Sequence, residues 1–237
     1  QHTGAETPVA SYTTTNLNDF LQWMEFGRGI PCSRKTYARR VTSIKVYFKW
    51  LKQIGAIPHD PAQAILQRSG PAPLSQVLSR DDEKATIVVA QGMKKGEEHD
   101  HRPEFLLLLL LETGIKKSEA GRLTAKDFDR SNPERPVVLI KHKTKNVYKE
   151  RRIEVSPRLM DVLDDYVAQY RPKDALFTCT TRNLEYILTD IGEQADVPFK
   201  LSFEVMRWTS AVRDYRAGMD EETIREKLMA IPPSWKI

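Results

Sequence analysis

The chain has little of what staples a small protein or carries one through a membrane. Two cysteines, Cys32 and Cys179, stand far apart among 237 residues with no CxxC pair. That excludes a dense disulfide framework and a cysteine zinc site, and it suits a reducing compartment. Glycine and proline number 11 and 14, too few for collagen-like or low-complexity sequence. The longest purely apolar run, residues 105–111, is seven residues, far short of the roughly 20 that cross a bilayer. No membrane partner is expected. Residues 1–15 lack the basic start and apolar stretch of a secretory signal, so a cytoplasmic protein is the expectation. With 40% hydrophobic and 29% charged residues, the chain can bury a core as one large domain or two small ones.

Negative charge is missing from one region. Residues 28–52 hold eight basic side chains and no acidic one, and residues 1–75 hold nine Lys/Arg against four Asp/Glu. The remaining residues carry 28 of each sign, so the whole net charge of +5 lies at the front. A one-sided segment of this kind faces a polyanion or is simply solvated. The first reading makes double-stranded DNA the partner. The second leaves a helical interaction protein with an incidental basic patch.

Hydrophobic spacing predicts mainly helices. A short helix is expected over residues 15–26. A longer one follows Ser33, with Tyr37, Val41, Ile44, Phe48 and Leu51 on one face and Arg34, Lys35, Arg39, Arg40, Lys45 and Lys49 offered as DNA contacts. Gly55 should end it. A small third helix is expected over 61–67, then a Gly/Pro linker over 69–73. Beyond it come a helix over 79–93, a polar loop over 94–100, and a buried six-leucine helix over 103–112. A basic hairpin joins strands at 136–140 and 148–155, with Lys141, Lys143 and Lys145 at its tip. Four helices are expected after that. The fold class is α+β, mainly α with a small antiparallel sheet: a helical domain over 1–72 and a larger domain over 73–237. His99 and His101 flank Asp100 in the polar loop and read as solvated, so no metal and no cofactor is expected.

Several motifs in this order resemble the tyrosine recombinases, the phage-integrase family. Arg40-Val-Thr-Ser-Ile-Lys-Val-Tyr-Phe-Lys-Trp-Leu51 is similar to a helix of that family's core-binding domain. Thr113-Gly-Ile-Lys-Lys-Ser-Glu119 resembles its Thr-Gly-Leu-Arg-x-Ser-Glu box. Lys143-Thr-Lys145 with Arg151-Arg-Ile-Glu-Val155 resembles the hairpin that carries its catalytic lysine, and Arg207-Trp-Thr-Ser-Ala211 follows its His-x-x-Arg helix. The resemblance implies strand cleavage and rejoining through a phosphotyrosine, without metal, by proteins that assemble as oligomers on DNA. A nucleophilic attack of that kind needs planar cationic forks around the phosphorane and a proton donor for the leaving oxygen.

The resemblance also marks departures. Lys116 stands at the first arginine position, and Glu204 stands where a histidine is implied, three residues before Arg207. Leu228-Met-Ala230 replaces Leu-Gly-His, and the implied tyrosine does not follow within the sequence, as though this domain were truncated at its C-terminus. Tyr215 lies on the wrong element to serve. The expected site is therefore Lys116, Lys143 and Arg207 around one phosphate, with Glu204 as its neutralising carboxylate. Two readings of activity stay open: a DNA-binding relative impaired in cleavage, or a competent recombinase whose tyrosine lies past Ile237 or comes from a partner chain.

Overall fold

The computed structural model describes residues 7–30, 32–66, 75–144 and 147–229, without the side chains of residues 143–148. The expected linker at 69–73 lies outside the described residues. Two compact units divide the chain, Gln1–Pro73 and Leu74–Ile237.

The first unit is built on α1 (Thr14–Gln22), which runs on into a π-helical turn at Trp23–Gly27, and on α2 (Arg34–Gln53). Thr13 and Asn16 cap α1 reciprocally, and the Ser33 hydroxyl accepts the Thr36 N–H at the start of α2. Tyr37, Val41, Phe48 and Leu51 pack on Leu17, Leu21, Ile57 and Ile65, so the stripe in the sequence is the core face. The third helix expected over 61–67 does not form. Asp60 instead accepts the Ala62 N–H at 2.8 Å, a side-chain bond that bends the backbone into a turn at residues 61–64.

The second unit begins with α3 (Arg80–Gly92). A small hairpin, β1 (Lys94–Lys95) with β2 (Glu98–His99), replaces the expected polar loop, turning on Gly96 at φ +69°. The leucine-rich α4 (His101–Thr113) follows, with its leucines buried on every side. Around it stand α5 (Lys117–Ala120), α6 (Pro157–Tyr170), α7 (Thr181–Gln194), α8 (Phe203–Arg216) and α9 (Glu221–Leu228). Strands β3 (Phe128–Asp129), β4 (Val137–Thr144) and β5 (Val147–Glu154) form one antiparallel sheet. Lys141 to Thr144 thus belong to a strand rather than to the hairpin tip. In the register, Val138 faces Ile153, Ile140 faces Arg151 and His142 faces Lys149. Alternation puts Val138, Ile140 and His142 on one face with Ile153 and Arg151.

Gly114 ends α4 in the left-handed region at φ +56°, and a Cβ there would lie 2.4 Å from Leu228 Cδ2. Gly114→Ala should therefore lower the melting temperature. The backbone conformation alone costs an alanine about 1–2 kcal/mol, and the buried Leu228 must move as well. An unchanged thermal transition would contradict this packing.

Candidate active site

The chain segment after Gly114 turns into α5 because Glu119 reaches back to its start. Its Oε2 accepts the Lys116 N–H at 2.8 Å, a capping arrangement that fixes a helix of only four residues. The same carboxylate receives Arg151 from β5 in a two-pronged pair, Nη1 to Oε1 at 3.0 Å and Nη2 to Oε2 at 2.8 Å. His142 Nδ1 from β4 lies 3.5 Å from Oε1. Glu119 is 1% and Arg151 9% exposed at the side chain, so this pair stands in low dielectric, where breaking it is costly.

Arg207 enters from α8. Its Nη1 donates to the Gly114 carbonyl at 2.8 Å and its Nη2 to the Leu228 carbonyl at the end of α9. Arg151 Nη1 meets Met229 Sδ at 2.9 Å, so two guanidinium groups grip neighbouring residues at the end of α9. That helix is tied to α8 by the Lys227–Asp214 pair at 2.6 Å. Lys116, half-buried, completes the group.

The electrostatics follow from one carboxylate among several cations. Burial raises the Glu119 carboxyl, but hydrogen bonds from Arg151 and the Lys116 backbone outweigh it and hold the group below its ordinary value. Burial lowers Lys116, and Arg207 and Arg151 lower it further against the pull of Glu119. Burial likewise brings Arg207 down to about 10, a value that leaves it charged at neutral pH.

Of the residues expected from sequence, the structure brings Lys116 and Arg207 to this place. Lys143 lies in β4 opposite Tyr148, and its side chain, like Lys145 as a whole, is outside the described residues. Glu204 needs correcting: it is exposed in the first turn of α8, and the carboxylate beside Arg207 is Glu119. Lys141 pairs with Asp127 at 2.6 Å instead of standing free for DNA. Arg40 is also used internally, donating to the Met24 carbonyl at 3.3 Å. Lys45 is half-buried and leans 3.5 Å from the Gln63 carbonyl, while Arg34, Lys35, Arg39 and Lys49 are exposed along α2. Tyr215 is exposed eight residues past Arg207 on α8, about 12 Å along the axis. The His99 and His101 rings meet edge-on at 4.4 Å, and among the described residues no three metal-ligating side chains cluster. Glu119, Arg151 and His142 were missed by the sequence reading.

No family model matches the chain. Over 237 aligned residues it is 26% identical to the tyrosine recombinase XerC of Listeria monocytogenes serovar 1/2a, across 94% of this chain and 76% of that protein. The chain is thus similar to tyrosine recombinases over nearly its whole length. The recombinase fold extends to solved structures of low identity. The integrase of transposon Tn1549 in complex with circular intermediate DNA superposes with a TM-score of 0.73 at 19% identity, over 96% of this chain and 80% of that one. A λ integrase dimer bound to a COC′ core site gives 0.70 at 13%, over 94% and 77%. The group around Glu119 is rich in cations; its planar forks are Arg207 and Arg151, with a lysine at 116.

Proposed function

We propose that this chain binds double-stranded DNA in a recombination or integration system, self-associating on its site, and that its own active-site residues are poorly fitted to strand cleavage. The observation that carries the reading is the gathering of positive charge around Glu119, which pairs with Arg151 and whose charge is felt by Lys116 and Arg207. Cations packed this closely repel one another, and the negative charge of an approaching phosphate relieves that repulsion. The exposed basic side chains of α2 add a second phosphate-facing surface in the other unit. The relatives named above extend the reading: the Tn1549 and λ proteins were solved on DNA, and the λ protein as a dimer. Such a protein works where the DNA is, in the cytoplasm and at the nucleoid.

Fluorescence anisotropy with a labelled duplex, repeated across salt concentrations, tests this. Log affinity should fall linearly with log salt, by about 0.9 per phosphate contacted. Reversing Arg34, Lys35, Arg39 and Lys49 to Glu should weaken binding to all sequences alike and make the slope shallower, since phosphate contacts carry no sequence information. A flat salt dependence in the unaltered chain would remove the DNA reading.

A further inference from the structure

Buried polar atoms nearly always find a partner. Four atoms in the described part of this protein do not: Arg102 Nε, His142 Nδ1, Arg151 Nε and Ser210 Oγ. Two of the four lie at one carboxylate, and a third lies beside Gly114. Arg151 and His142 approach the same oxygen of Glu119, at 3.0 and 3.5 Å. Ser210 Oγ lies 3.3 Å from where a side chain on Gly114 would begin, beside the carbonyl that Arg207 grips. Other arginines of this unit are matched one to one, as in Arg130 with Asp164 and Arg135 with Glu154. Here one carboxylate faces Lys116, Arg151 and Arg207, with His142 beside them. An anion with several acceptor oxygens is the chemistry that satisfies such an excess of donors.

We propose that His142 is a phosphate ligand of this site and that Arg151 is the residue that positions it, acting through Glu119. The proposal rests on the DNA reading above for the source of the phosphate. The His142 side chain is 23% exposed while its Nδ1 is buried, so the accessible part of the ring is the part that carries Nε2. The Glu119 carboxylate lies 3.5 Å from Nδ1 without a hydrogen bond between them, and a negative charge so placed favours a proton on that nitrogen. Protonated imidazole donates from both nitrogens, which turns Nε2–H toward solvent as a donor for a phosphate oxygen. Glu119 of α5 and Arg151 of β5 face the ring, Lys149 of β5 is its register partner, and Lys116 and Arg207 are further cations within reach of the Glu119 charge. Arg151 grips both Glu119 oxygens and so keeps the carboxylate where the ring needs it. Binding a phosphate favours the protonated ring, so affinity should rise as pH falls through the imidazole range.

Two measurements on the full chain test this. In the first, the His142 ring signals are followed by NMR, assigned by comparison with His142→Gln, while inorganic phosphate is added. Phosphate should shift those signals, and signals that stay still to tens of millimolar phosphate overturn the proposal. In the second, duplex affinity is measured from pH 6 to pH 8 for the unaltered chain, His142→Gln and Arg151→Lys. His142→Gln should lose about tenfold in affinity at pH 6, the worth of one charge-assisted hydrogen bond, and little at pH 8. Arg151→Lys keeps the charge but not the fork, and should also flatten the pH profile. An Arg151→Lys profile parallel to that of the unaltered chain would overturn the positioning role and leave Arg151 a structural pair. Phosphate shifts at His142 without duplex binding would sink the DNA reading and leave the phosphate ligand standing. Duplex binding with a motionless His142 would do the reverse.

Discussion

Glu119→Gln should lower the stability of the second unit by about 3–5 kcal/mol, the usual consequence of removing one partner from a buried ion pair. The variant keeps the shape of the side chain but leaves Arg151, 9% exposed, with an uncompensated charge next to Lys116 and Arg207. For a unit of this size the fall in melting temperature is roughly 6–20 °C. Removing both charges with Glu119→Gln and Arg151→Met should recover most of the loss, because a buried pair replaced by neutral groups of like volume is often close to neutral in stability. Thermal and urea unfolding measure both variants, and a single variant that melts with the unaltered chain would show the pair to be idle. The same group sets an acid limb. Its folded-state carboxyl is held below the ordinary glutamate value of 4.5, so the unfolded chain takes up the proton first as pH falls. The stability it contributes is fully present above that ordinary value and is lost as pH drops through the lower folded value. Glu119→Gln should therefore show a weaker dependence of stability on acid than the unaltered chain.

Much of the fold was legible because its signals are local. The step pattern from Tyr37 to Leu51, the serine at 33, and the glycines at 55 and 114 each act within a turn or two of their own position. The turn at 61–64 escaped because the bond from Ala62 to Asp60 competes with a weak helical pattern too short to prevail. The site was only half legible. Lys116 and Arg207 stand in recognisable boxes, but Glu204 was chosen as counter-charge by closeness in sequence, whereas Glu119 reaches Arg207 through the fold. A signal for Arg151 was present: Val155 and Ile153 set a two-residue period on the inward face of β5, and Arg151 falls on it. An arginine on a core-facing position needs a buried acid, and Glu119, three residues after Lys116 in a capping position, was the candidate. Lys141 and Arg40 misled for the converse reason. Their charge is visible in the sequence, but their partners, Asp127 and the Met24 carbonyl, are brought to them only by folding.

Incubated with a nicked suicide duplex, this chain should form no covalent protein–DNA adduct on a denaturing gel. Strand cleavage needs a nucleophile in line with the phosphate, planar donors on the phosphorane oxygens and a proton for the leaving group. Arg207 is present, but each of its terminal nitrogens already gives one bond to a backbone carbonyl, of Gly114 and of Leu228, which leaves it fewer donors for a phosphorane. Lys116 offers a point charge where a fork suits the geometry, and Glu204 sets a negative charge at the start of the same helix. Loss of one positioned donor costs on the order of 10²–10³ in rate, and loss of an acid–base group a further factor of about 10² or more. Tyr215 does not repair this, since it stands exposed about 12 Å beyond Arg207 along α8. Restoring Lys116→Arg and Glu204→His together should raise duplex affinity, by removing one repulsion and adding one two-pronged donor, and should still give no adduct. An adduct from the unaltered chain that disappears on Tyr215→Phe would show that α8 rearranges on DNA to deliver that hydroxyl. An adduct that survives Tyr215→Phe would assign the chemistry to another tyrosine and restore the competent-recombinase reading.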